Sequence, residues 1–219
     1  MKVEIWSDIM CPFCYIGKRR FEKALLKYED QSHVQIIWRS FLLQPKLVYQ
    51  PGKTIFEFLS ESKGMSLEQA KSMTQQVTNM AAGEGLDFNF DKIIVANSFD
   101  AHRLIHLGTS FGLQDKVAEH LFSAHFTEGK NVQDHQALEE IAAEIGIEKQ
   151  RVKKMLISDE FSGNVNSDVL EAQKLGIQGV PFFVFNRKYS VSGAQSRDVF
   201  LEVLQKVNEE ERAIEEKKD

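Results

Sequence analysis

The chain has 219 residues, of which 42% are hydrophobic and 27% are charged, and its formal net charge is −5. This composition is typical of a folded globular protein, and it excludes a chain that is disordered throughout, a collagen-like chain and a coiled coil. The length indicates one large domain or a compact domain that carries an inserted one. Because acidic residues are in excess, no overall positive potential attracts phosphates, and we expect no nucleic-acid partner.

The first residues give no sign of a secretory signal, because Glu4 and Asp8 interrupt the apolar stretch and no small-residue cleavage site follows. No run in the sequence approaches the roughly 20 consecutive apolar residues that cross a bilayer. The two cysteines are too few for a disulfide framework, as is usual in a reducing compartment. We therefore expect a cytoplasmic protein without a membrane partner.

The beginning of the chain predicts a β-α-β unit. Residues 2–7 alternate polar and apolar side chains with the period of a strand. Pro12 suits the first position of a helix, since that position needs no N–H donor, and apolar residues recur at helical spacing after it. Residues 34–43 are mostly apolar and rich in strand-forming side chains, which is typical of a buried strand.

The middle of the chain, from about residue 52 to residue 176, predicts a bundle of short helices. Ser66 and Gln69 have the spacing of a capping box, which predicts a helix that runs from there towards Gly83 or Gly85. The further predicted helices span residues 98–110, 113–127, 134–145, 148–158 and 166–175.

The end of the chain returns to strand character. The apolar run at 182–185 and the residues 189–191 predict a hairpin. A final helix begins at Ser196 or Arg197 and runs to about residue 208. The remaining residues are mostly Glu and Lys, which is typical of a solvated helix end.

The motif with the sharpest chemical meaning is the pair Cys11 and Cys14, placed between a predicted strand and a predicted helix. At this spacing in a helical turn the two Cβ atoms lie roughly 5 to 6 Å apart, close to what a disulfide requires. The free N–H groups and the positive end of the helix dipole stabilise a thiolate at Cys11. We therefore predict that Cys11 is the nucleophile and that Cys14, deeper in the helix, is the resolving thiol with the higher pKa.

Two other interpretations of the cysteine pair stay open at this point. The pair could be half of a zinc site, completed by carboxylates or by histidines such as His102 and His106, which have the i, i+4 spacing of one helix face. The cysteines could also be an inert buried pair. A Pro-Phe spacer at a strand–helix junction favours the redox interpretation over both.

Three segments make the sequence similar to the DsbA-like thioredoxin superfamily, and in particular to its FrnE-like branch. They are MCPFCYIG at 10–17, GIQGVPFFVF at 176–185 and YSVSGAQ at 189–195. The resemblance implies an α/β chain with a thioredoxin-like fold that is interrupted by a large all-helical insertion. It implies a first thioredoxin-like part at 1–48, the insertion at 49–176, a second thioredoxin-like part at 177–212 and a charged C-terminal tail at 213–219.

The resemblance also implies how the active site is shaped. Val180 and Pro181 match a loop that carries a cis-proline facing the cysteine pair, and Pro12 lies within the pair. We expect the aromatic side chains of Phe13 and Tyr15 to lie at the rim of the site, and Tyr15 is a candidate substrate-binding residue.

Two further groups of residues are candidates for substrate binding. Asn97, His102 and Arg103 lie in a segment that resembles a recurrent FrnE-like helix, and they could bind a substrate carboxylate or control protons near Cys11. The alternative is a capped helix whose histidine packs against its neighbours. Gln195 and Ser196 could contact a peptide-like ligand at the start of the last helix, or simply cap that helix.

These features predict a thiol–disulfide oxidoreductase, of the protein disulfide oxidoreductase or isomerase type, that forms a mixed disulfide through Cys11 and resolves it with Cys14. We expect no cofactor and no metal. The expected partners are protein or small-molecule thiols and disulfides, and a reductant or oxidant that recycles the enzyme, with glutathione as a candidate.

One alternative is a glutathione-dependent isomerase or transferase of the 2-hydroxychromene-2-carboxylate isomerase or kappa-class type. There the thiol of bound glutathione does the chemistry, and a Ser typically stands where this chain has Cys11. Another alternative is a redox-inactive partner or chaperone whose helical insertion carries the function.

Overall fold

The structure is a computed structural model, and it describes residues 1–216. Its elements are β1 (Lys2–Ser7), α1 (Pro12–Leu25), a 3-10 turn (Gln31–His33), β2 (Gln35–Ser40), α2 (Ile55–Lys63), α3 (Leu67–Gly83), α4 (Phe99–Thr109), α5 (Gln114–Ser123), a π turn (Ala124–Glu128), α6 (His135–Glu144), α7 (Lys149–Leu156), α8 (Ser162–Lys174), β3 (Phe182–Phe185), β4 (Tyr189–Ser192) and α9 (Arg197–Glu215).

The strands form a mixed sheet in the order β2-β1-β3-β4. β1 pairs parallel with β2 and antiparallel with β3, so that Ile5 lies between Trp38 and Phe183. β3 and β4 form the predicted antiparallel hairpin. The helices α1 and α9 pack against this sheet, and the segment between β2 and β3 is helical. The arrangement confirms the α/β, thioredoxin-like fold with a large helical insertion.

Successive side chains of β1 point to opposite faces of the sheet, where they belong to two different hydrophobic cores. Val3 and Ile5 belong to the main core, where Phe21 of α1 and Phe200 of α9 pack against Phe183 with ring centroids 5.5 and 4.6 Å from its own. These rings are almost completely buried, and the aromatic packing fixes α1 on the sheet. The position of α1 in turn fixes the cysteine pair at its first turn.

The other face of β1 carries Trp6 and Glu4, and α8 covers it. Glu4 is 1% exposed and forms ion pairs with Arg39 and Arg187. Burial raises the pKa of Glu4, but hydrogen bonds from Arg187 and Arg39 outweigh burial and hold that pKa below its ordinary value. This face is therefore closed by paired charges and by an aromatic ring.

Most predicted elements are present, and the differences have local causes. The helix α2 was not predicted as a separate element, although Thr54 and Glu57 form a complete capping box at its start. The helix α8 begins four residues before the predicted position, after Phe161, whose φ of 64° places it in the left-handed region. No polar capping side chain marks that start in the sequence.

Two further helix predictions were wrong at their ends. The helix predicted at 113–127 ends as α5 at Ser123 and continues as the π turn. The last helix continues past residue 208 to Glu215. The tail predicted at 213–219 therefore overlaps α9, and residues 217–219 lie outside the described residues. The predicted boundaries at 48, 176 and 212 stay predictions.

None of the helices within residues 1–216 combines the length and the apolar character that a bilayer crossing needs.

Candidate active site

The cysteine pair lies at the carboxyl end of β1, across the first turn of α1. Cys11 is the N-cap residue of α1, and its backbone N–H donates to the carbonyl of Asp8 at 3.0 Å. The N–H of Cys14 donates to the carbonyl of Cys11, also at 3.0 Å. Pro12 occupies the first helical position, where a missing donor has no consequence. The strand–helix junction thus places both sulfur atoms on one turn.

Both cysteines are free thiols, and both are buried, with Cys11 5% exposed and Cys14 1% exposed. The Cys11 thiol donates to the carbonyl of Val180 at 3.5 Å. Burial and the adjacent Cys11 thiol raise the pKa of Cys14 well above its ordinary value. Cys14 is therefore protonated at neutral pH. The rise of its pKa has the direction that was predicted for the resolving thiol.

The loop before β3 closes over Cys11. The peptide bond between Val180 and Pro181 is cis, which is the isomer implied by the resemblance. Gly17 of α1 packs against this loop, since a Cβ atom at Gly17 would lie 2.9 Å from Cγ of Pro181. The absence of a side chain at Gly17 allows α1 and the proline loop to approach each other.

A cavity of about 450 Å³ opens beside Cys11. Its lining comes from the loops around the cysteine pair, from the loop after β2, from the segment before β3 and from several parts of the helical middle. The lining is mostly apolar and consists of Met10, Cys11, Pro12, Phe13, Leu43, Gln44, Leu47, Ile55, Phe58, Leu59, Ser62, Lys63, Met73, Thr74, Val77, Phe90, Ile93, His125, Phe126, Gly179 and Val180. The predicted shaping residues Pro12, Phe13 and Val180 thus meet at one cavity. Phe13 is 40% exposed, as expected for a residue at its rim.

A buried carboxylate supports the floor of the site. Asp8 accepts hydrogen bonds from the N–H of Leu43 at 2.7 Å, from the N–H of Met10 at 3.1 Å and from the hydroxyl of Ser98 at 2.7 Å. Burial raises the pKa of Asp8, but His102 and these donors outweigh burial and lower it. Asp8 stays ionised and joins three segments beneath Cys11.

His102 lies beside this carboxylate and does not line the cavity. Its Nε2 atom is 3.5 Å from Oδ1 of Asp8, and the residue is 1% exposed. It is therefore placed to hold Asp8 and not to contact a substrate. His106, the other histidine of the zinc alternative, lies with Nε2 3.1 Å from Oδ2 of Asp168, away from the thiols. Residues 1–216 contain no group of three metal-ligating side chains suited to an ion.

Asn97 and Arg103, which were predicted as candidate substrate contacts, form hydrogen bonds within the protein. The side chain of Asn97 accepts from the N–H of Phe99 at 2.9 Å and donates to the carbonyl of Pro45 at 3.3 Å. Arg103 is 4% exposed and donates to the carbonyl of Glu160 at 2.8 Å. These bonds tie α4 to neighbouring loops, and neither residue is part of the cavity lining. A role of either residue in substrate binding stays a prediction.

Tyr15 was wrongly predicted as a rim residue. It is 4% exposed and stacks on Phe122 of α5 with ring centroids 5.0 Å apart. Its hydroxyl donates to Oε1 of Glu119 at 2.6 Å. Tyr15 lies on the face of α1 that packs against the helical insertion, and it contacts α5 instead of the cavity.

Gln195 and Ser196 lie outside the cavity lining as well. The amide of Gln195 donates to the carbonyl of Ser192 at 3.0 Å, and both predicted residues are exposed. The hydroxyl of Ser196 accepts from the N–H of Val199 at 3.5 Å as the N-cap of α9. Helix capping accounts for Ser196, and neither residue is placed to contact a ligand at Cys11.

His125 is among the residues of the cavity wall that the sequence prediction missed. This side chain is 1% exposed, and its Nδ1 atom has no hydrogen-bond partner within the described part of the chain. Burial lowers the pKa of His125 to about 4. The position depends on the π turn, whose signature in the sequence is limited to Gly129 at its end, where φ is 73°.

Comparisons with known proteins agree with this geometry. A family model described as a DSBA-like thioredoxin domain matches residues 2–205. The crystal structure of a probable DsbA oxidoreductase from Streptomyces coelicolor superposes with a TM-score of 0.90, at 37% identity over 94% of this chain and 89% of that one. The uncharacterized protein YwbO of Bacillus subtilis is 26% identical over 90% of this chain and 92% of its own length.

A more distant likeness concerns the fold alone. The structure of a 2-hydroxychromene-2-carboxylate isomerase superposes with a TM-score of 0.70, at 13% identity over 98% of this chain and 99% of that one. The family model covers nearly the whole chain and includes the cysteine pair, the proline loop and the helical middle. The chain belongs to the family of DsbA-like thioredoxin domains.

Proposed function

We propose that the protein is a thiol–disulfide oxidoreductase, of the protein disulfide oxidoreductase or isomerase type, that uses Cys11 and Cys14. One observation carries the proposal. Two free thiols share the first turn of α1, with Cys11 in the wall of a cavity and Cys14 behind it with a raised pKa. This is the arrangement in which one thiol attacks and the other resolves.

The exchange proceeds in two displacements. The Cys11 thiolate attacks one sulfur of a substrate disulfide, so that a mixed disulfide forms and the first substrate thiolate leaves and takes up a proton. Cys14 then loses its proton and attacks Cys11 Sγ, which releases the second substrate thiol. The protein gives up two electrons as its disulfide forms, and the substrate disulfide takes them up.

The surroundings of the pair assist each step. The hydrogen bond from the Cys11 thiol to the Val180 carbonyl holds the sulfur at the cavity wall. This bond is lost when the thiol ionises, so it does not restrain the thiolate during its attack. Cys11 is the N-cap residue of α1 and therefore lies at the positive end of the helix dipole, which favours a negative charge. The raised pKa of Cys14 makes it a poor leaving group and keeps it protonated until the mixed disulfide is in place.

The proposed activity needs no cofactor or metal. Its substrates are protein or small-molecule thiols and disulfides, and a separate reductant or oxidant, with glutathione as a candidate, returns Cys11 and Cys14 to their starting state. We place the activity in the cytoplasm, where the reducing glutathione pool favours reduction or isomerisation over net oxidation.

Trapping the mixed disulfide tests this proposal. The Cys14→Ser variant, mixed with bis(2-hydroxyethyl) disulfide, is expected to carry one stable 2-sulfanylethanol adduct on Cys11, read by mass spectrometry. The wild-type protein releases the adduct as its own disulfide forms, and Cys11→Ser carries none.

The same experiment separates the glutathione-dependent isomerase or transferase alternative, which the shared fold favours. In that alternative bound glutathione supplies the thiol, so Cys14→Ser would behave as wild type. A Cys11 that forms no adduct in any variant would overturn the oxidoreductase proposal.

A further inference from the structure

The wall of the cavity beside Cys11 contains a buried polar atom without a partner. His125 and Cys11 line the same cavity, and neither ring nitrogen of His125 has a hydrogen-bond partner among residues 1–216. Nδ1 is completely buried, so Nε2 is the ring nitrogen that is open to the cavity. A buried polar group is normally hydrogen-bonded, because leaving it without a partner is unfavourable. An unpaired nitrogen in the wall of a cavity indicates that a ligand completes the bond.

The backbone holds His125 in this position. The π turn adds a residue to the helical path after α5, and such turns are frequent at functional sites. It ends at Gly129, where a Cβ atom would lie 2.7 Å from the carbonyl oxygen of Lys92. The imidazole ring packs edge-on against Phe126, with centroids 4.6 Å apart. The orientation of His125 is therefore set by the fold before any ligand enters.

The chemistry of the wall indicates an uncharged ligand group. Burial holds the pKa of His125 at about 4, so its imidazole is neutral at neutral pH and either donates or accepts one hydrogen bond at Nε2. Around it lie the apolar side chains of Met73, Val77, Phe90 and Phe126. A charged group beside these apolar side chains would lose its hydration, and the one charged residue of the lining, Lys63, is exposed to solvent.

The size and access of the cavity indicate a small molecule. Its volume of about 450 Å³ lies within the range of small-ligand sites. Cys11 is only 5% exposed, so a disulfide on the flat surface of a folded protein has little access to its sulfur. A compact disulfide that enters the cavity can contact the sulfur of Cys11 from the cavity side.

We propose that the substrate is a low-molecular-weight disulfide whose apolar part fills this cavity and whose uncharged hydrogen-bonding group pairs with Nε2 of His125. This inference rests on the oxidoreductase function proposed above and names the class of its substrate. The first substrate thiol leaves when Cys11 forms the mixed disulfide, and the second leaves when Cys14 closes the protein disulfide. Two protein thiols are oxidised, and one disulfide is reduced to two thiols.

Four disulfides test the substrate class with the full-length reduced protein. They are bis(4-hydroxybenzyl) disulfide, dibenzyl disulfide, glutathione disulfide and bis(2-hydroxyethyl) disulfide. Thiol release is measured by liquid chromatography, and each rate is divided by the rate of the same disulfide with dithiothreitol, which removes differences in intrinsic reactivity. We expect the hydroxybenzyl compound to react at least about tenfold faster than glutathione disulfide on this scale.

Two variants locate the effect in the cavity. His125→Phe keeps the aromatic ring but removes the hydrogen bond, so the hydroxybenzyl rate falls about tenfold while the dibenzyl rate changes less than about twofold. Met73→Trp fills the cavity and lowers both benzyl rates relative to bis(2-hydroxyethyl) disulfide. The matched controls are His120→Phe on α5 and the exposed Gln76→Trp on α3, neither of which lines the cavity, and both retain the wild-type ratios.

The outcomes separate this inference from the function on which it rests. If bis(2-hydroxyethyl) disulfide is reduced through Cys11 but all four normalised rates are similar, or if His125→Phe lowers both benzyl rates equally, the substrate class is wrong and the oxidoreductase stands. A peptide disulfide that reacts faster than the hydroxybenzyl compound would also overturn it. If none of the disulfides reacts, the oxidoreductase proposal itself fails.

Discussion

Two consecutive segments of the chain, α5 and the π turn after it, bury polar side chains in opposite ways. Glu119 of α5 accepts hydrogen bonds from the Tyr15 hydroxyl at 2.6 Å and from Nζ of the buried Lys18 at 2.7 Å. Arg19 donates to the same carboxylate at 2.5 Å. His125 of the π turn is equally buried, but its Nδ1 atom has no partner within the described residues.

The difference separates a structural contact from a binding one. The charges around Glu119 are satisfied within the protein, and they fasten α5 to the helix that carries the cysteines. The imidazole of His125 lines the cavity beside Cys11 instead, and neither of its nitrogens has a partner within the described residues. Changes at α5 should therefore alter stability, whereas changes beside the cavity should alter reactivity towards disulfides.

The largest effect is expected at the nucleophile. Cys11→Ser should lower the rate of bis(2-hydroxyethyl) disulfide reduction to the uncatalysed rate, because no other thiol lies at the cavity wall. The free energy of unfolding should change by less than about 1 kcal/mol, since the thiol makes one long hydrogen bond of 3.5 Å. Rates and urea unfolding measure the two quantities. Residual activity near that of wild type would contradict the assignment.

The second prediction concerns the glycine that ends the π turn. Gly129→Ala should lower the free energy of unfolding by about 3 kcal/mol, because φ is 73° and the new Cβ would lie 2.7 Å from the Lys92 carbonyl oxygen. Gly146→Ala is the matched control, since φ is 90° there but its Cβ meets no atom within 4 Å. In urea unfolding, the control should lose about 1 kcal/mol of its free energy of unfolding. Equal losses at the two sites would show that the π turn is not tightly packed.

The third prediction is a pH dependence with a defined sign. The pKa of His125 is about 4 in the folded protein and about 6.5 in the unfolded chain, so the unfolded chain binds an extra proton between these values. The stability that depends on a neutral His125 is therefore fully present above pH 6.5. As the pH falls, the free energy of unfolding decreases, by up to about 3 kcal/mol near pH 4. In His125→Phe this loss should be absent, while the contribution of the nearby Asp8 is common to both proteins.

Urea unfolding of the two proteins from pH 7 to pH 4 gives the measurement. The control is His33→Phe, whose side chain is 77% exposed and should follow wild type. If His125→Phe loses stability with acid as steeply as wild type, then His125 is not held neutral by burial.

The smallest effect is expected at Glu119. Glu119→Gln should lower the free energy of unfolding by about 2 kcal/mol, because the buried Lys18 and its neighbour Arg19 lose a charged acceptor. The normalised disulfide rates should stay as in wild type. Glu202→Gln, on an exposed position of α9, is the control for the loss of one carboxylate. A change in the substrate preference of Glu119→Gln would remove the distinction between α5 and the π turn.

Much of the fold is readable from the sequence, because the relevant signals are local. The period of two at 2–7, Pro12 after Cys11 and the apolar run at 182–185 predict β1, α1 and β3 with small errors. The relation of Cys11 to Cys14 is likewise local, since one helical turn joins them.

The rest of the site depends on packing between distant segments. No local pattern shows that Tyr15 faces α5, or that the donors of Arg103 meet carbonyl groups some 52 to 57 residues further along the chain. The same is true of His125, whose importance follows from a π turn and from a cavity that seven separate segments enclose. Sequence reasoning finds the reactive pair, and the structure finds what surrounds it.

The central claim is most directly tested by the redox equilibrium of the cysteine pair. The protein is equilibrated in buffers with graded ratios of reduced to oxidised glutathione, its free thiols are alkylated, and the products are resolved by mass spectrometry, with Cys11→Ser as the control. We predict a reversible disulfide between Cys11 and Cys14, with a potential between about −120 and −270 mV, that Cys11→Ser cannot form. A pair that remains dithiol at every ratio would contradict the proposed function.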